Sequence, residues 1–261
     1  MISPPMTTAQ VSPQLIEIVT RAARYSNTPL MLFGSVARGD ATDTSDIDIL
    51  ELSPEQHRTA TIGRINVYTY TQADLRTMAE RGALFVLHLQ EEGCILRDPN
   101  NILRLCIESY VPPMTYDPYR RAMRQAANLL DVNEDSYLSQ WKRYNDLAMF
   151  IVRTTLYVIF AERQEPLFSL PEIAKRLERP DVASVLRLRK ATFPAWELYA
   201  EARRLIAELL DTRIVNTYGS VEALVANCGL ESPSVVALGL RLLGRESPAL
   251  GYDVLTLVPF G

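Results

Sequence analysis

Between Leu30 and Leu52 the chain carries two short apolar runs, Leu30-Met31-Leu32-Phe33 and Ile47-Asp48-Ile49-Leu50, separated by a polar stretch that begins at Gly34. Four consecutive apolar residues closed by a glycine predict a buried strand that delivers the chain into a tight turn. From Asp46 to Leu52 charged and apolar residues alternate, which predicts a half-buried strand with Ile47 and Ile49 on the face opposite Asp46 and Asp48. Neither strand is stable alone, so both demand a sheet. Ile65–Tyr70, β-branched and aromatic, predicts a third strand, and the piece around Cys94–Leu96, bounded by Gly93 and the Asp98-Pro99-Asn100-Asn101 turn, a last small one. Apolar residues at helical spacing over Ser12–Tyr25, with Pro13 in the first turn, predict a surface helix. Thr71 with Asp74 predicts another helix start, and helical segments follow through Glu92.

This mixed pattern stops at Val111-Pro112-Pro113-Met114, where two prolines break any helix. Residues 1–112 are expected to form one domain and residues 113–261 a second, helical one with a C-terminal extension. In the latter, helices are expected over 117–131, 137–163, 170–178 and 194–211, with Ser169, Pro171 and Glu172 forming a capping-box start. Val221–Ala226 and Val235–Leu243 also read as helical, and Tyr252–Val258 as a terminal strand or extended arm. The expected fold class is therefore α/β, a small mixed sheet with helices, followed by an all-α domain.

Charge divides at the same place. Residues 1–112 hold 9 Lys/Arg against 13 Asp/Glu and the remainder 18 of each, so the net charge of −4 belongs to the first region. A chain whose whole surface coats nucleic acid or anionic membrane is excluded by that balance. Three cysteines, Cys94, Cys106 and Cys228, are odd in number and lack any CxxC spacing, which disfavours a disulfide framework or a zinc site and favours a reducing cytoplasm. Met1–Gln10 shows no basic stretch leading into an apolar run, so no secretory signal is expected. The most apolar segment, Leu147–Ala161, falls short of the roughly 20 residues that span a bilayer and contains Arg153, so a buried helix and no membrane association are expected.

The chemistry concentrates in Leu32-Phe33-Gly34-Ser35-Val36-Ala37-Arg38-Gly39-Asp40 and Ser45-Asp46-Ile47-Asp48-Ile49. Gly34 lacks the side chain that would keep an anion from the backbone, and Ser35 opens a short helix whose free N–H groups favour phosphate. Ten residues then separate Ser35 from Asp46, enough for a helix and a loop returning into a neighbouring strand. Two carboxylates about 7 Å apart along that strand repel each other unless solvated, protonated or shared with a cation, and a hard dication that also binds substrate phosphates suits them. A phosphate-binding turn beside a metal-binding pair implies metal-assisted phosphoryl chemistry.

With Gly34-Ser35, Ala37-Arg38-Gly39 and Ser45-Asp46-x-Asp48, the segment resembles the polymerase-β-like nucleotidyltransferase superfamily, especially its minimal bacterial members. The resemblance implies that Gly34 and Ser35 hold a triphosphate, that Arg38 supports the loop or the phosphates, and that Asp46 and Asp48 are catalytic and bind Mg²⁺. It implies transfer of a nucleoside monophosphate, AMP first among candidates, from a nucleoside triphosphate, ATP first, to an acceptor hydroxyl with release of pyrophosphate. The acceptor stays open among a small molecule, a protein side chain and a tRNA end, and a homodimer is compatible with the chain. Active relatives usually place a third carboxylate on a later strand, but Arg64–Tyr70 carries no acid and Asn66 stands at the equivalent position. The alternative is therefore a nucleotide-binding or toxin-neutralising protein on the same fold without transfer activity.

Some two-domain relatives draw an acid from the helical region instead. Lys142, Asp146, Arg153 and Tyr157 fall within about 60° of one another on one helical stripe. Buried charge must be paired or face a cleft, so the stripe is expected to face the first domain, with Lys142 or Arg153 near phosphate and Asp146 as a base, structural ion pairing being the competing reading. His57 reads as exposed and His88 as a satisfied, half-buried histidine. No histidine follows His88, which disfavours the nuclease-type helical domains of this group.

Overall fold

The computed structural model describes residues 11–23, 27–43, 45–54, 58–229 and 232–245 of the chain, so His57 and Tyr252–Val258 lie outside the described residues. The chain divides into two compact units, Met1–Met114 and Thr115–Gly261.

In the first unit, Ser12 caps helix α1 (Pro13–Ala22): its Oγ accepts from the Leu15 N–H at 3.2 Å, and Pro13 takes a first-turn position where its missing N–H costs nothing. Five strands form one mixed sheet: β1 (Leu30–Phe33), β2 (Ile47–Leu52), β3 (Arg58–Ile62), β4 (Ile65–Tyr70) and β5 (Cys94–Arg97), in the order β3-β4-β2-β1-β5. β2 and β4 run parallel and the other pairs antiparallel. Helix α2 (Gly34–Arg38) follows β1 directly, and α3 (Gln72–Glu80), α4 (Leu84–Glu92) and α5 (Ile102–Glu108) complete the unit. Thr71 caps α3 as its sequence predicts, accepting from the Asp74 N–H at 3.0 Å and donating to the Asp74 carboxylate at 2.7 Å.

Period-two alternation sorts the strand residues onto two covered faces. Leu30, Leu32, Ile49, Ile65 and Val67 pack with Val19 of α1 and Ala37 of α2. On the opposite face Phe33 meets Tyr68 and Phe85 at ring-centroid distances of 5.5 and 5.7 Å, and His88 edge-on at 5.8 Å.

The expected mixed sheet is present, with one strand more than the sequence reading gave: β3 pairs with β4 through the Gly63-Arg64 turn, Gly63 adopting φ +62°. The half-buried reading of β2 also needs correction. Leu50, Glu51 and Leu52 are all buried because β2 is central in the sheet, and the Glu51 carboxylate is satisfied by the Thr28 hydroxyl at 2.7 Å.

The second unit is helical: α6 (Asp117–Ala127), α7 (Glu134–Glu162), α8 (Leu170–Arg176), α9 (Pro180–Val185), α10 (Trp196–Leu209), α11 (Val221–Cys228) and α12 (Pro233–Leu242). α7 starts three residues before its expected position because Asn133 caps it, accepting from the Ser136 N–H at 2.9 Å. Its apolar stretch is buried on nearly every side from Leu147 to Ala161. Tyr137 of α7 stacks on Tyr199 of α10 at 4.5 Å and donates to the buried Asn145 carbonyl at 3.1 Å. α9 and the short 3-10 segment Leu186–Lys190 were not expected, and Ser169 takes the N-cap position of α8 without a side-chain capping bond, so the capping box does not form. Among the described residues, no helix is long and apolar enough to cross a membrane.

Candidate active site

β1 ends at Phe33, which pairs with Asp48 of β2, and Asp48 in turn pairs with Asn66 of β4. Register therefore sets Asp48 between the turn that leaves β1 and the residue one strand over. The turn needs glycine twice over: Gly34 adopts φ +74°, and a Cβ built there would lie 2.9 Å from Asp48 Oδ2. The Asp48 carboxylate thus leans over the Gly34 backbone, and Ser35 follows in the first turn of α2, half-buried.

Asp48 spends its other oxygen on Asn66, whose Nδ2 donates to Oδ1 at 3.0 Å. The amide orientation is fixed from behind, because the Thr61 hydroxyl of β3 donates to Asn66 Oδ1 at 3.0 Å. Where a third acid was sought, the chain presents an amide donor that holds Asp48 in place. Asp46 lies two residues upstream, just outside β2 and half-buried. Its approach is stapled at Ser45, whose carbonyl accepts from Arg64 Nε and Nη2 at 3.2 and 2.5 Å and whose Oγ accepts from the Thr42 N–H at 2.9 Å.

Arg38 turns toward α4. Its Nη1 donates to Glu92 Oε2 at 2.5 Å and its Nε to Asp40 Oδ2 at 3.1 Å, while His88 Nε2 reaches the same Glu92 oxygen at 2.6 Å. His88 is only 1% exposed, buried rather than half-buried, and its partner is the acid one turn further along the helix.

Lys142, Asp146 and Arg153 belong to the second unit. Lys142 and Asp146 lie on the exposed side of α7, while Arg153 is half-buried with its guanidinium 5.8 Å from the Phe150 ring centre. Asp146 keeps access to water, yet crowding by surrounding protein pushes its carboxyl up to about 6, against the opposing pull of Arg189 and Lys142. Hydration and those two cations keep it ionised at neutral pH. Tyr157 leaves the stripe for the interior, donating to the Phe168 carbonyl at 2.7 Å.

The donor set suits a hard dication held jointly with a substrate. Asp46 and Asp48 offer only oxygens, and the missing side chain at Gly34 lets the Asp48 carboxylate lie directly against the turn. Among the described residues no three His, Cys, Asp or Glu side chains converge into a self-sufficient metal site, so a cation here must complete its shell with water and phosphate. Sequence reasoning missed Thr61, Arg64 and Glu92. Only Glu92 left a usable signal, the i,i+4 spacing from His88.

Residues 13–92 match the family model described as nucleotidyltransferase domain, a polymerase-β-like family. The matched stretch contains α1 to α4, β1 to β4 and the Gly34–Asp48 arrangement, and the match ends before the helical unit. Among solved structures the chain is similar to a nucleotidyltransferase-like protein from Exiguobacterium sibiricum, at 15% identity over 88% of this chain and 89% of that chain, with a TM-score of 0.32. No curated protein matches the sequence.

Proposed function

We propose that the protein transfers a nucleoside monophosphate from a nucleoside triphosphate, ATP first among candidates, to an acceptor hydroxyl and releases pyrophosphate, using Mg²⁺ held by Asp46 and Asp48. The observation that carries this reading is the Asp48 carboxylate lying against the Gly34 turn, so close that a Cβ there would stand 2.9 Å from Oδ2. Backbone N–H groups at Gly34 and Ser35 bind and orient the phosphates. Asn66 keeps Asp48 in one rotamer, and the Arg64–Ser45 contacts set the approach to Asp46. Bound Mg²⁺ supplies charge neutralisation on the phosphates and orients them for in-line displacement.

We assign residues 113–261 as a separate domain that supplies acceptor specificity. Asp146, ionised at neutral pH, is the proposed proton acceptor for the acceptor hydroxyl, and Lys142 and Arg153 the proposed phosphate contacts. A cytoplasmic location fits three cysteines that are odd in number and lack CxxC spacing.

One observation favours a second reading, a nucleotide-binding module without transfer: Asn66 gives Asp48 an amide donor where a carboxylate would supply another metal ligand. One assay separates the two. Purified protein is incubated with labelled nucleoside triphosphates, Mg²⁺ and a panel of small hydroxyl compounds, proteins and tRNA, beside an Asp46→Asn/Asp48→Asn control. Label transfer that is lost in the control is the expected result; tight nucleotide binding without transfer to any acceptor, itself included, replaces the enzyme by the binding module.

A further inference from the structure

α2 has only five residues, too few to hold a helical conformation by its own hydrogen bonds, so the turn at its start is only as well placed as the contacts that fix it. Its N-terminal end is held by β1 and by Asp48 over Gly34. At its C-terminal end Gly39 closes the helix at φ +78°, in the left-handed region, and the one cation of the last turn is Arg38. Arg38 is 18% exposed and reaches out of its own helix to Glu92, itself 8% exposed, at the end of α4. Glu92 Oε2 gathers two donors from two directions, Arg38 Nη1 and His88 Nε2. A carboxylate has no proton to give, so both nitrogens donate, and the ring fixed by Glu92 packs edge-on against Phe33, the residue just before Gly34. A buried charge with two charge-assisted contacts holds its partners far more firmly than an exposed ion pair.

We propose that Glu92 is the positioning residue of the Gly34–Ser35 turn: it commits the Arg38 guanidinium to α4 and so fixes the short helix on which the turn depends. This deepens the reading of that turn as a phosphate site and rests on it for its consequence in binding, but the placement itself has an independent readout.

The test uses the full chain with Glu92→Gln, which keeps size and removes charge, and His88→Gln, which leaves Arg38 on Glu92. Amide hydrogen exchange is followed at Gly39 and Asp40, whose N–H groups close the end of α2 on the Val36 and Ser35 carbonyls, and at Ile65–Tyr70 as a reference within the same sheet. Glu92→Gln should speed exchange at Gly39 and Asp40 about tenfold, leave β4 unchanged, and raise the half-saturating concentration of Mg·ATP about tenfold. His88→Gln should leave Gly39 and Asp40 within about twofold of wild type. Unchanged exchange at Gly39 and Asp40, or an equal rise throughout β4, overturns the proposal, as does faster exchange with Mg·ATP half-saturation unaltered. A wild-type chain that binds no nucleoside triphosphate defeats the functional reading instead, and the exchange data then decide alone whether Glu92 fixes the turn.

Discussion

Gly34 and Gly39 share a left-handed backbone, φ +74° and +78°, yet differ in what a side chain would meet: Asp48 Oδ2 at 2.9 Å in the first case, open space in the second. Gly39→Ala should therefore lose only the conformational term, about 1–2 kcal/mol in urea unfolding. Gly34→Ala should lose at least as much and also displace Asp48, so that Mg·ATP binding disappears from the Gly34 variant and persists in the Gly39 variant. Asn66 makes a second residue-scale case. Asn66→Asp turns a donor to Asp48 into a like charge, which should lower the thermal midpoint in EDTA and give it back on adding Mg²⁺, a recovery the wild type does not need. A variant equally stable with and without Mg²⁺ contradicts the assignment of Asp48 as a metal ligand. The proximity of Asp48 to Gly34 was foreshadowed by the strand-glycine-serine pattern and the alternation after Asp46. The role of Asn66 was not, because an amide holding a carboxylate looks in sequence like any other strand asparagine.

At the scale of elements, β1, β4 and α1 stood out because their apolar runs and caps coincide: Phe33 before Gly34, Tyr70 before Thr71, Ser12 before Pro13. β3 did not, since Arg58-Thr59-Ala60-Thr61-Ile62 carries few large apolar residues and sits at the sheet edge, where pairing with β4 does the work that burial does elsewhere. Ser169 failed in the opposite way, offering a capping sequence that the structure leaves unused. In α7, Asp146 links helix and pH. Its carboxyl pKa, raised from 3.8 to about 6 mainly by desolvation, means the native chain holds this proton more tightly than the unfolded chain does. The corresponding stability is fully present below the unfolded value and is lost as pH rises through about 6, by an amount that hydration of the exposed side chain keeps small. Asp146→Asn should flatten the urea-stability profile between about pH 4 and about pH 6 relative to wild type, and an unchanged slope there contradicts the assignment.

The whole molecule joins a domain whose chemistry is legible to one whose chemistry is not. The first unit stands out because its Gly34-Ser35 and Asp46-x-Asp48 residues recur at a fixed spacing that few folds require, and its match over residues 13–92 contains the same segment. The helical unit obeys only burial and periodicity, which many sequences satisfy, so its role left no pattern to read. The central claim is that Asp46 and Asp48 share a divalent ion with a triphosphate seated at Gly34 and Ser35. Calorimetric titration of ATP tests it most directly, in Mg²⁺ and in EDTA, with wild type and with Asp46→Asn/Asp48→Asn. The wild type should bind at least about tenfold more tightly in Mg²⁺, a difference of about 1.4 kcal/mol that vanishes in the double variant. Equal affinity with and without Mg²⁺, or a Mg²⁺ dependence that survives both substitutions, would contradict it.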